Sequence, residues 1–159
     1  YRNAKKLLSM GVNTPQPIGF INVYSKGLLS GSYYVSHYSY YRPVTGRQEH
    51  RDKENDALFN ALVSFTVSLH EKGVRHDDYN LSNVLYKKTN DGKYDFMLID
   101  IHSISYGPLS PRMCLSTIQT LCPNPDLASR FSTASAQLRD WGDSRSISVL
   151  AMRRSPSQR

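Results

Sequence analysis

The sequence predicts an α+β fold in which a short strand-bearing N-terminal part precedes a mostly α-helical body. Three observations carry this. Residues 54–72 set Leu58, Ala61, Leu62, Phe65 and Leu69 at three- and four-residue spacing, which gives a long helix one apolar face. Two apolar runs, Val84-Leu85-Tyr86 and Phe96 to Ile99, flank Asn90-Asp91-Gly92. Asp-Gly between such runs signals an antiparallel hairpin, here with more than two linking residues. Apolar residues then return at helical spacing from Met113 onward.

In chain order, residues 1–10 read as the end of a helix, with Ala4, Leu7 and Leu8 at helical spacing and Gly11 as a cap just beyond. Pro15 and Pro17 forbid continuation. Ile18 to Tyr24 reads as a strand, Lys26 to Gly31 as a turn, and Ser32 to Tyr41 as a second strand running into a linker. Arg42 to Lys53 is polar and reads as loop. Gly73 ends the long helix, and Val74 leads directly into the segment at His76. Between Ile101 and Pro111, Gly107, Pro108 and Pro111 act as breakers. Met113, Leu115, Ile118 and Leu121 predict a helix, which Pro123-Asn124-Pro125 ends. Leu127 to Trp141 predicts another, with Phe131, Ala134 and Leu138 on one face. Residues 142–159, rich in Ser and Arg, are expected to form a disordered basic tail.

Composition bounds the function. The 159 residues suit one domain, and 39% hydrophobic against 21% charged is enough to bury a core. Part of the net charge of +7 lies in the tail, at Arg145, Arg153, Arg154 and Arg159, so it reads as a scattered basic surface. No apolar run is long enough to cross a bilayer. The chain begins at Tyr1, and the expectation is an N-terminally truncated fragment. Cys114 and Cys122 form no Cys-x-x-Cys and no disulfide framework, which suits a reducing compartment. His76 follows His70 by six residues where a zinc-binding helix needs four, so zinc is rejected. His37 and His50 carry no pattern. Tyrosines 33, 34, 38, 40 and 41 suggest a base-stacking platform, but amphipathic packing of a strand and crossover accounts for them. Nucleic acid is not an expected partner.

The chemistry concentrates between His76 and Asp100. The hairpin brings Asn83, at the start of one strand, close to Asp100, at the end of its partner, with Asp78 in the loop just before. Mg²⁺ takes oxygen ligands, usually one or two from protein and the rest from phosphates and water. The amide oxygen of Asn83 and the carboxylate of Asp100 fit it. Asp78, not spent on metal, can accept the proton of an attacking hydroxyl. His76-Asp77-Asp78 through Asn83 matches the His-x-Asp-x-x-x-x-Asn loop of protein-kinase-like folds, in which a later Asp holds the metal. Asp100 continues as Ile101-His102, without the usual Phe-Gly. A turn merely rich in Asp and Asn is the bland alternative.

More of the chain extends the likeness. Ala4-Lys5-Lys6-Leu7-Leu8 followed by Gly11-Val12-Asn13-Thr14-Pro15-Gln16-Pro17-Ile18-Gly19 resembles the end of the small-lobe helix and the next strand in bacterial lipopolysaccharide core kinases, the Kdo/heptose kinase family. Leu69 through Leu85 resembles that family's helix and catalytic loop, Leu98-Ile99-Asp100 its metal-binding strand end, and Arg112-Met113-Cys114 with the following helices its C-terminal region. The resemblance implies a protein-kinase-like fold, mostly the α-helical large lobe with part of the small-lobe sheet. Residues 1–41 would be the remnant of small lobe and hinge, and 42–141 the large lobe.

It also implies roles. Asp78 would be the catalytic base and His76 the loop-positioning residue. Asn83 and Asp100 would be the metal and cofactor ligands, and backbone near Ser36 to Tyr38 would line the adenine pocket. ATP and Mg²⁺ would be the cofactors. A sugar hydroxyl of lipopolysaccharide core, Kdo or heptose, would be the acceptor. The place would be the cytoplasm, with peripheral contact at the inner membrane. Two departures stand out. Asp77 replaces the family's small residue and adds a charge beside Asp78. No Gly-x-Gly-x-x-Gly loop or phosphate-binding Lys strand precedes the first helix, so this fragment alone is expected to be inactive. The alternatives are a catalytically inactive kinase-like binding module, or a phosphotransferase or atypical protein kinase with another acceptor.

Overall fold

A computed structural model describes residues 1–45 and 53–139. The order is α1 (Arg2–Ser9), β1 (Pro17–Ser25), β2 (Leu28–Ser36), β3 (Arg42–Pro43), α2 (Lys53–Glu71), β4 (Val74–His76), β5 (Val84–Lys88), β6 (Tyr94–Leu98), β7 (Ile104–Tyr106), α3 (Pro111–Leu121) and α4 (Pro125–Leu138). The strands form three antiparallel sheets: β1-β2, β3-β5-β6 and β4-β7.

Helix α1 ends as its sequence requires. Gly11 takes φ +66°, its N–H donates to Leu8 O at 3.0 Å, and the N–H of Val12 reaches Leu7 O at 2.9 Å. This pair of bonds satisfies carbonyls that a helix end leaves open, and buried Leu7 and Val12 accompany it. The β1-β2 connection is tighter than the six-residue turn expected. Lys26 and Gly27 both have positive φ, +51° and +77°, and Ser25 pairs with Leu28. A two-residue turn of that handedness matches strand twist, so β2 starts at Leu28. The strands are not amphipathic: Ile18, Phe20, Ile21, Tyr33 and Tyr34 are all exposed.

Helix α2 buries more than one stripe. Besides Leu58, Leu62 and Leu69, it buries Phe59, Val63, Thr66, Val67 and His70, because α4 packs on one side and β4 and β6 on another. Phe59 meets Phe131 of α4 edge to face, while Phe65 stacks on Phe96 of β6 at 5.0 Å. Asn124 caps α4 by accepting from the N–H of Asp126, with Pro125 preset for the first turn, so α4 begins two residues before the apolar pattern does. Ser110 caps α3 in the same way, with Pro111 following.

Two pairings went unread in the sequence. Arg42-Pro43 joins β5, where a loop was expected, and Val74–His76 joins Ile104–Tyr106. Cys114 and Cys122 are buried thiols, and burial pushes Cys122 up to about 12. His50, Trp141 and the expected tail 142–159 lie outside the described residues.

Candidate active site

The site begins where α2 stops. Gly73 has φ +67°, and a Cβ there would lie 2.6 Å from the carbonyl oxygen of Gly107. Only glycine allows this approach, which starts the β4-β7 pair and sets His76 at its end. His76 is buried, and its Nε2 lies 3.0 Å from Ile99 O. A carbonyl only accepts, so Nε2 carries the proton. Asp77 donates its N–H to Ser103 O at 2.9 Å, and its carboxylate meets Arg75 Nε at 3.1 Å. The extra charge beside Asp78 therefore has a counterion, which the sequence reading missed.

Asp78 is exposed and its carboxylate is held by two amides. Asn83 Nδ2 donates to Asp78 Oδ2 at 3.0 Å, and Asn80 Nδ2 donates to Oδ1 at 3.0 Å. Asn83 Nδ2 also reaches Asp78 O at 3.0 Å. Asn80 Oδ1 accepts from the N–H groups of Ser82 and Asn83, which closes the loop on itself. Between them, Tyr79 is buried, and its hydroxyl lies 2.9 Å from Thr66 Oγ1 in α2. Burial raises its phenol well above the ordinary range. Tyr79 thus anchors the loop to the core, an anchor visible in the sequence only as an aromatic inside a polar motif.

Ile99 joins the two halves. Its N–H donates to Asn83 O at 3.0 Å while its carbonyl accepts from His76. Asp100 follows with φ +53°, and its Oδ1 lies 2.6 Å from His102 Nδ1. From α1, Asn3 Nδ2 donates to Ile101 O at 2.7 Å. The structure thus bonds Asp78 to Asn83 directly and links His76 to them through Ile99, with Asp100 one residue beyond Ile99. Asn3 and His102 carried no local signal.

The Asn83 amide nitrogen is spent on Asp78, which leaves its Oδ1 as a hard oxygen donor, and Asp100 can add a carboxylate oxygen. Among the described residues no three His, Cys, Asp or Glu side chains cluster as a metal site. Two protein oxygens with phosphate and water completing the shell is a donor set that suits Mg²⁺. Asp100 also lines an open cleft of about 630 Å³ whose far wall is the β1-β2 hairpin, through Phe20, Asn22, Ser32 and Tyr34. At the expected adenine position, the N–H of His37 is taken by Gln16 O at 2.9 Å.

No family model and no curated protein matches the sequence. Solved structures do match its fold. A structure of WaaP in complex with acyl carrier protein is similar over 95% of this chain and 70% of that one, with a TM-score of 0.65 at 16% identity. The Rio2 kinase-ADP/Mg²⁺-phosphoaspartate complex from Chaetomium thermophilum is similar over 94% of this chain and 51% of that one, with a TM-score of 0.51 at 16% identity. Both are protein-kinase-like, and so is the fold of this chain.

Proposed function

We propose that the chain carries the catalytic loop of an ATP- and Mg²⁺-dependent kinase that phosphorylates a sugar hydroxyl of lipopolysaccharide core, on Kdo or heptose. The observation that carries the reading is the Asp78–Asn83 pair, joined through Ile99 to His76 and to the neighbouring Asp100. Asp78 accepts the hydroxyl proton, and two amide donors fix the direction its carboxylate faces. His76 fixes the strand end that presents Asp100. Asn83 Oδ1 and Asp100 hold the metal. When bound, Mg²⁺ neutralises charge on the phosphates. The protein's part is positioning and electrostatics, the usual means of phosphoryl transfer.

The resemblance of the catalytic-loop and flanking segments to lipopolysaccharide core kinases supports the acceptor class, and the ADP and Mg²⁺ of the Rio2 complex support the cofactors. Among the described residues no helix is long and apolar enough to cross a membrane. A cytoplasmic enzyme in peripheral contact with the inner membrane fits such an acceptor. Residues 1–41 read as small-lobe remnant and hinge, and 42–141 as large lobe. A second reading, an inactive kinase-like binding module, is favoured by Ile101-His102 in place of Phe-Gly.

The test is phosphate transfer from labelled ATP to lipopolysaccharide core by the intact gene product. Transfer to core is the expected result. Mg²⁺-dependent ATP hydrolysis, or transfer to an aminoglycoside or a protein instead, would keep the kinase and discard the acceptor. A folded protein with neither activity would establish the binding module.

A further inference from the structure

Asp100 is held in an uncommon pose by two side chains that the phosphotransfer chemistry leaves unused. Its φ of +53° lies in the left-handed region, which a Cβ disfavours. Such a conformation persists where its surroundings over-determine it, and it clusters at functional sites. Two contacts supply that here. Asn3, in the first turn of α1, donates one amide nitrogen to two successive carbonyls, Ile101 O at 2.7 Å and His102 O at 3.3 Å. This fixes the backbone just after Asp100. His102 turns back so that its Nδ1 lies 2.6 Å from Asp100 Oδ1, which fixes the carboxylate itself. Among the described residues Oδ2 takes no hydrogen bond, so it is left for a ligand.

Helix α1 is a firm base for this clamp. Ala4 and Leu7 are buried in the core, and Lys6 Nζ sits 3.7 Å from the centre of the Tyr106 ring. Tyr106 in turn donates its hydroxyl to Asn3 O at 3.4 Å. The His102–Asp100 pair is well exposed, at 73% and 49% of the side chains. An exposed pair adds little to folding. Its short, directed geometry is instead that of a partner which orients a metal-ligating carboxylate.

We propose that Asn3 and His102 are positioning residues for Asp100, together holding its carboxylate in the pose that binds a divalent cation. The inference rests on the phosphotransfer reading of the site. It makes the placement of α1 a determinant of metal affinity, through the single Asn3 amide. Losing a partner of this kind weakens metal affinity roughly 10- to 100-fold.

The test is the binding of Mn²⁺·ADP, followed through the electron paramagnetic resonance spectrum of the bound ion. The intact gene product is compared with its Asp100→Asn, His102→Phe, His102→Asn and Asn3→Leu variants. The leucine keeps the γ-branched shape of Asn3 and removes its amide donor. Expected is binding that Asp100→Asn loses, weakening of about 10- to 100-fold in His102→Phe and Asn3→Leu, and recovery in His102→Asn, whose amide can still donate. Unfolding temperature reports fold integrity, and the exposed His102 variants keep it should Asn3→Leu not. Parent-like affinity in a folded His102→Phe would overturn the clamp alone, because Asp100 would still bind metal without it. Absence of Asp100-dependent binding in the parent would overturn the phosphotransfer reading and the clamp with it.

Discussion

The two long hairpins are built from similarly apolar strands and end in different environments. In β1-β2, Ile18, Phe20, Ile21, Tyr24, Leu28 and Leu29 are 56–75% exposed. In β5-β6, Val84, Leu85, Tyr86, Phe96, Met97 and Leu98 are 0–8% exposed. The difference is tertiary. Helix α2 packs on β6, and β3 pairs with β5, whereas among the described residues the β1-β2 sheet contains only its own two strands. Alternation and turn chemistry specify that a strand forms, and the neighbouring elements decide whether it is covered. The candidate site follows the covered hairpin: Asn83 opens it and Asp100 lies just past its end. The exposed one supplies only a wall of the cleft.

Mutations distinguish the two hairpins. Leu98→Ala in the covered hairpin should cost about 2–5 kcal/mol in urea unfolding, because the side chain is fully buried and leaves a cavity. The covered body should also set the acid limit. Burial, helped by the charge of Arg139, lowers His70 to about 4. The unfolded chain takes up that proton near pH 6.5 while the folded chain resists until about 4. Stability is therefore unaffected above this window and falls as pH drops through it, by about 3 kcal/mol at most. His70→Leu should flatten that slope in unfolding measured from pH 7 to 4. Tyr79→Phe removes one hydroxyl while Thr66 still donates to Leu62 O, so a loss of about 1 kcal/mol is expected in the same assay. Phe20→Ala in the exposed hairpin should stay within about 0.5 kcal/mol of the parent. A loss as large as that of Leu98→Ala would show that β1-β2 is covered in solution.

Much of this was legible in the sequence. Helices α1 to α4 and both long hairpins declared themselves through spacing, caps and turn residues. The Asp78–Asn83 bond follows from a five-residue offset inside a loop, a local relation. What escaped reading was non-local. The strands at Arg42, Val74 and Ile104 are two or three residues long, too short for any period, and their partners were not inferred. The left-handed Asp100 and the Asn3 bond to Ile101, 98 residues apart in sequence, depend on the finished fold. Arg75 beside Asp77 is a close pair that a charge count treats only as two opposite surface charges.

The most direct test of the site is Asp78→Asn in the intact gene product, measured for both phosphate transfer and Mg²⁺·ATP binding. The amide keeps the shape of the carboxylate and removes its proton affinity. The expected result is transfer lower by about 10²- to 10⁴-fold with nucleotide binding unchanged, as for a lost general base. Transfer at the parent's rate, or loss of binding in step with loss of transfer, would contradict Asp78 as the group that accepts the hydroxyl proton.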